Sequence, residues 1–217
     1  MSLFVLFTVL FAADSVLHLY LQARRPDDGI DHIPLAVTKC LIVPLLSACL
    51  LCLAVQTDLS FRLPALLSAA AFLYFCGDLF LTLRFSCAFY IGAGAFLAGH
   101  IALSVWFLAG GFSLPLLLVS ALVLSLLLVR FVLKLRRAKA EPLLPYAFYS
   151  LILFAFIACS AASINVLAAA GSALFAYSDC AIVSNVTGMR KRSDAIIMLS
   201  YILALVLLAS GAAAAAV

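Results

Sequence analysis

Apolar residues run along this chain in eight long stretches, at about 2–22, 34–56, 62–83, 87–108, 112–133, 143–162, 164–186 and 194–215. Each comes close to or exceeds the roughly 20 apolar residues that carry a helix across the hydrocarbon core of a bilayer. The sixth and seventh stretches are joined with almost no polar break. A run of about 44 apolar residues is too long for one span, so the pattern predicts two there. The connections are short, and none is long and polar enough to form a water-soluble domain. The pattern therefore predicts an all-α integral membrane bundle of eight transmembrane helices forming one domain, 1–217. The first stretch lacks a basic leader region and runs on past Asp14 to Arg24, so it reads as a retained span and not a cleaved signal.

Composition agrees with that reading. Of 217 residues, 68% are hydrophobic and only 10% charged, which leaves too little polar surface for a soluble domain. The charges are also unevenly placed. The connections after the first, third, fifth and seventh stretches hold Arg24, Arg25, Arg84, Lys134, Arg136, Arg137, Lys139, Arg190, Lys191 and Arg192. The other connections hold only Arg62, while Lys39 and Arg130 fall inside stretches. By the positive-inside rule the odd connections face the cytoplasm and both termini face away from it. That places a bacterial protein in the inner membrane and a eukaryotic one in an endomembrane. The net charge of +4 is accounted for by this bias, and no nucleic-acid partner is implied. The seven cysteines all lie within or at the ends of apolar stretches, Cys49 and Cys52 included; they read as packing residues, with no disulfide expected.

Three carboxylates interrupt this apolar background: Asp14, Asp78 and Asp179. A charge near the middle of a spanning helix costs roughly 2.5–3.5 kcal/mol on insertion scales, and an intramembrane acid is by default a functional residue. Counting about 1.5 Å per residue from Arg24, Arg84 and Arg190 puts all three acids roughly 9–17 Å from the cytoplasmic boundary. Lys39, Tyr146, Tyr149 and Tyr201 come to similar depth from that same side, and His100 lies deeper. One polar pocket open toward the cytoplasmic leaflet could collect most of these groups. Simpler roles are available for some of them. Asp14 can form a structural ion pair with Lys39, His100 can be a satisfied core histidine, and the run Lys134 to Lys139 sets topology first and attracts phosphate second. Asp179 has no cation on its own stretch, and Asp78 none nearer than Arg62 at the far end of its stretch. The segments Phe75-Cys76-Gly77-Asp78-Leu79 and Ala176-Tyr177-Ser178-Asp179-Cys180 also share a pattern, which suggests two parallel four-helix halves.

At these residues the chain resembles the YhhN family, whose characterised members are lysoplasmalogenases. The matching features are Thr38-Lys39, Gly77-Asp78, Gly92 to Gly99-His100, Tyr149, Gly171-Ser172-Ala173-Leu174-Phe175 with Ser178-Asp179, and Ser200-Tyr201. The chain departs from the family at Leu205, where Gln is common, and over Ala181 to Gly188. The resemblance implies an eight-helix enzyme that cleaves the vinyl ether bond of a lysophospholipid substrate, the lysoplasmalogen, to a fatty aldehyde and glycerophosphoethanolamine or glycerophosphocholine. Such hydrolysis needs a carboxylic acid to protonate the β-carbon and a carboxylate to steady the oxocarbenium ion and activate water. Glycosidases meet a related need with two carboxyl groups. Asp78 and Asp179 are the expected catalytic pair. Lys39, His100, Tyr149, Ser178, Tyr201 and Asp14 are expected to bind substrate or orient water. No cofactor and no metal is expected, since His18, His32 and His100 are scattered in sequence and depth. The competing class is a small proton-coupled transporter or an amphiphile-binding membrane protein, which would also bury acids. Only Pro44 interrupts a stretch interior, and no Gly-x-Ser-x-Gly elbow points to a serine hydrolase.

Overall fold

The computed structural model describes residues 2–24, 32–56, 62–83, 85 and 87–215, without the side chains of residues 32 and 62–64. Arg25 and Arg84, counted above among the basic residues of the odd connections, lie outside the described residues, as do the side chains of Arg62 and His32. The chain forms α1 (Leu3–Ala23), α2 (His32–Gln56), α3 (Arg62–Thr82), α4 (Ala88–Ala109), α5 (Leu114–Arg137), α6 (Leu143–Ala162), α7 (Val166–Val186) and α8 (Asp194–Ala214). Among the described residues there is no strand, and all eight helices are long and apolar enough to cross a membrane.

Two of the expected boundaries shift, each for a local reason. The α5 helix continues to Arg137, because Lys134, Arg136 and Arg137 place positive charge in its last turn, where it complements the unpaired carbonyls. The long apolar run between α6 and α7 breaks at Ser163-Ile164-Asn165. Ile164 adopts φ 59°, a conformation that β-branched residues rarely enter and that turns the chain out of α6. The Asn165 side chain then caps α7 by accepting from the Ala168 N–H at 3.0 Å, and donates to the Gly211 carbonyl of α8 at 2.7 Å. One asparagine thus ends an apolar run that hydropathy alone leaves continuous.

The chain divides into two compact units, one reaching to Ala102 and the other spanning Leu103–Ala215, so the division falls within α4. In the first unit α2 packs on α1 and on α3. There α4 meets α3 through glycines: a Cβ on Gly92 would stand 3.0 Å from the Gly77 carbonyl oxygen, and one on Gly99 would strike the Tyr74 ring at 2.5 Å. In the second unit each helix packs on the next, α5 on α6, α6 on α7 and α7 on α8. The closest approach is again made by glycines: a Cβ on Gly171 would meet the Leu208 backbone nitrogen at 2.9 Å, and one on Gly211 the Ala168 nitrogen at 2.8 Å. Lipid is as apolar as leucine, so association in a membrane rests on such close packing and not on hydrophobic burial. Of the residues of α5, only Leu135 is buried, and its other leucines and valines are left for acyl chains.

This packing makes two glycines respond differently. Gly171→Ala should lower the unfolding free energy of the detergent-solubilised protein by about 1–3 kcal/mol, because two of the three nearest obstructing atoms, the Leu208 nitrogen and the Ala204 carbonyl oxygen, are backbone. Gly94→Ala, whose Cβ would meet nothing within 4 Å, should leave the thermal midpoint unchanged or slightly raised. Equal midpoints for the two variants would contradict the α7–α8 contact.

Candidate functional site

The first unit gathers polar side chains around three consecutive residues of α2. Successive helical residues point about 100° apart, so Thr38 and Lys39 address different neighbours. The Thr38 hydroxyl lies 2.8 Å from Nδ1 of His18 on α1 and 2.9 Å from the Pro34 carbonyl. With that carbonyl accepting from the hydroxyl, the oxygen accepts from the His18 N–H. Lys39 points to α3, where its Nζ stands 3.5 Å from Oδ1 of Asp78. Cys40 makes a side-chain hydrogen bond with Thr82, one turn further along α3. One turn earlier on α3, the Tyr74 hydroxyl hydrogen-bonds Nδ1 of His100 on α4 at 2.7 Å, with the two rings edge to face.

Burial makes these pairings consequential. Asp78 is 1% exposed, His18 1% and His100 0%, whereas Lys39 keeps 19% of its side-chain surface. The ion pair therefore joins a fully enclosed carboxylate to an ammonium that reaches the edge of the enclosure. This corrects the expected partner of Lys39. The sequence offers Asp14 among others, and the structure pairs Lys39 with Asp78. The reason is register: Lys39 lies on the α3 side of α2, and Thr38 occupies the α1 side. Asp14 is half-buried on α1, one turn before His18.

The second unit has its own carboxyl group. Asp179 on α7 is 7% exposed and accepts a short hydrogen bond from the Tyr149 hydroxyl of α6 to Oδ2. Ser178 turns instead to α8, where its hydroxyl donates to the Ile197 carbonyl at 3.2 Å. Tyr201 on α8 is buried edge-on against Phe175, one turn before Asp179, with ring centroids 5.4 Å apart. The helix 7 block of small and aromatic residues thus serves two neighbours at once: Asp179 faces α6, and Gly171, Phe175 and Ser178 face α8. Tyr146, one turn before Ser150 on α6, is buried as well and accepts the Ser150 hydroxyl on its carbonyl at 2.7 Å.

Of the residues singled out from the sequence, Lys39 and Asp78 come together in one unit, and Tyr149 and Asp179 in the other. His100 is a buried core histidine with a tyrosine partner. His18 was counted only among the scattered histidines, yet it is one of the most enclosed polar groups of the first unit. Its signal was present in the spacing, since Asp14 and His18 stand at i and i+4 on one face of α1, together with the buried Ser15.

The YhhN family model matches residues 36–212, which is most of the chain. The chain belongs to the YhhN family. The YhhN match takes in both carboxylates just described and their partners Lys39 and Tyr149, and leaves α1 with Asp14 and His18 outside. No curated protein and no solved structure matches this YhhN chain.

A buried ion pair has a recognisable mutational signature. Lys39→Met removes the cation from an enclosed carboxylate and should destabilise the protein by about 3–5 kcal/mol. Lys39→Met with Asp78→Leu should recover most of that loss, as replacing both ions by apolar groups is often neutral. Thermal unfolding of the two variants beside Asp78→Leu closes the cycle; purely additive losses would mean that the two charges do not interact.

Proposed function

We propose that this YhhN-family protein is a membrane hydrolase that cleaves the vinyl ether bond of lysoplasmalogens. The observation that supports the reading is the pair of enclosed carboxyl groups within the family match, each engaged by one side chain of an adjacent helix. The characterised relatives that the sequence resembles act on this bond. In the proposed reaction a carboxylic acid transfers its proton to the β-carbon of the vinyl ether, and the oxygen lone pair stabilises the resulting oxocarbenium ion. A water molecule adds to the cationic carbon while a carboxylate takes one of its protons. The hemiacetal so formed expels the glycerol oxygen, which receives the hemiacetal hydroxyl proton, leaving a fatty aldehyde and a glycerophospho-alcohol. One water is consumed, and the acid and base end with their protons exchanged.

Asp179 suits the acid. One of its oxygens accepts from the Tyr149 hydroxyl, which holds the carboxyl group in a fixed orientation for proton transfer. Asp78 suits the carboxylate, because Lys39 at 3.5 Å is an ammonium partner for an anion. His100, Tyr201 and Ser178 are buried in the cores of their own units. In this reading the basic connections lie on the cytoplasmic side of the membrane.

The test is aldehyde release by the purified protein from a lysoplasmalogen and from its ester-linked analogue. Activity confined to the vinyl ether supports the proposal. Asp78→Asn and Asp179→Asn should each lower kcat by at least about a hundredfold while the protein remains folded. Tyr149→Phe should lose about tenfold, the value of one hydrogen bond to a charged or polarised group. Wild-type turnover in either asparagine variant overturns the assignment, and aldehyde from neither substrate overturns the activity.

A further inference from the structure

The second unit holds a cavity of about 580 Å³ between the end of α5 and the connection from α7 to α8. Its volume lies in the range of small-molecule sites. Lys134 and Arg137 enter it from one face of α5, and Arg190 and Arg192 from the connection, beside Phe131 and Tyr177. No acidic residue lines it. Four like charges around one hollow repel each other, and an anion seated among them relieves that repulsion.

A topological cation needs only to stay out of the hydrocarbon, and two of these are held in place. The Asn185 side chain donates to the Arg192 carbonyl at 3.0 Å and accepts from the Arg192 N–H at 2.7 Å. The Arg190 N–H donates to the Ser184 carbonyl at 3.4 Å, and the Arg192 guanidinium stands 5.9 Å from the Tyr177 ring centroid. The connection is therefore bonded to the last turns of α7 with its guanidinium groups at the cavity. The α5 wall carries the second half of the argument. Directly before Lys134 it exposes Leu126, Val129 and Leu133, an apolar strip on which an acyl chain can lie.

From this juxtaposition we propose that the α5/α7–α8 cavity is a binding site for the phosphate group of a membrane lipid, with the acyl chain along α5. Arg and Lys grip phosphate through charge-assisted hydrogen bonds, and basic pockets at the ends of membrane helices recognise anionic headgroups. Neither carboxyl group assigned to catalysis lines this cavity, and the proposal stands whether or not the protein hydrolyses vinyl ethers.

Binding is measured on the full chain in an uncharged detergent, by native mass spectrometry, with phosphatidic acid and with diacylglycerol of the same chains. Phosphatidic acid should bind and diacylglycerol should bind at least about tenfold more weakly, since it lacks the charged contacts. Lys134→Gln and Arg190→Gln should each weaken phosphatidic acid by about tenfold. Arg136→Gln removes a charge from the same segment but not from the cavity, and should leave binding unchanged. Arg190→Lys keeps the charge and should lose less than Arg190→Gln, which preserves the test should the latter fold poorly. Equal losses for Arg136→Gln and Lys134→Gln, or equal binding of the two lipids, overturns the site. Glycerol 3-phosphate displacing phosphatidic acid at equal concentration overturns the lipid as its occupant.

Discussion

A charged group enclosed by apolar helices costs several kcal/mol unless another group answers it, and this cost shapes the interior of the first unit. Asp78 is almost completely enclosed, and the Lys39 ammonium stands 3.5 Å away on the adjacent helix. The pairing constrains more than two residues. It sets the rotation of α2 against α3, and that rotation carries Thr38 round to His18 and Cys40 to Thr82. Three neighbouring positions of one helix thereby satisfy polar groups on two others. An apolar α2 could turn freely about its axis at little cost; this one cannot.

The second unit answers its carboxyl group with a phenol. Tyr149 donates to Asp179 across the α6–α7 contact. Asp78 has an ammonium among its partners and Asp179 a phenol, although the two aspartates sit in similar five-residue segments. That difference is what allows one carboxyl group to serve as proton donor and another as anion in the proposed hydrolysis. Gly171 and Gly211 let α7 and α8 approach until backbone meets backbone, which holds α7 in a defined rotation and keeps Asp179 on its α6 side.

Much of the site was legible residue by residue, because an Asp, Lys or His is conspicuous where nearly everything else is apolar. Asp78, Asp179, Lys39 and Tyr149 were all marked by that contrast, and the structure gives each a partner. The partners themselves were less legible. Lys39 had three acids at similar depth, and depth carries no information about helix rotation. Ser178 adjoins Asp179 in sequence yet serves α8, since neighbours on a helix face different directions. His18 stood out less than Asp78 because a histidine can be neutral, so its burial in a span is less conspicuous than that of a carboxylate.

The sequence by itself determined that this is a membrane protein of eight helices, because spanning length and hydropathy are properties of each segment alone. It also determined which polar residues must be accommodated, since their cost arises from the apolar residues around them in the same helix. Only the tertiary structure decided which groups satisfy which: Lys39 with Asp78, Thr38 with His18, Tyr74 with His100 and Tyr149 with Asp179. The break between α6 and α7 follows from the length of the apolar run; what the tertiary structure adds is the α8 contact of Asn165, which also caps its own helix. These pairings depend on the rotation of each helix about its axis. That rotation is set by contacts between residues far apart in the chain, and no single segment contains it.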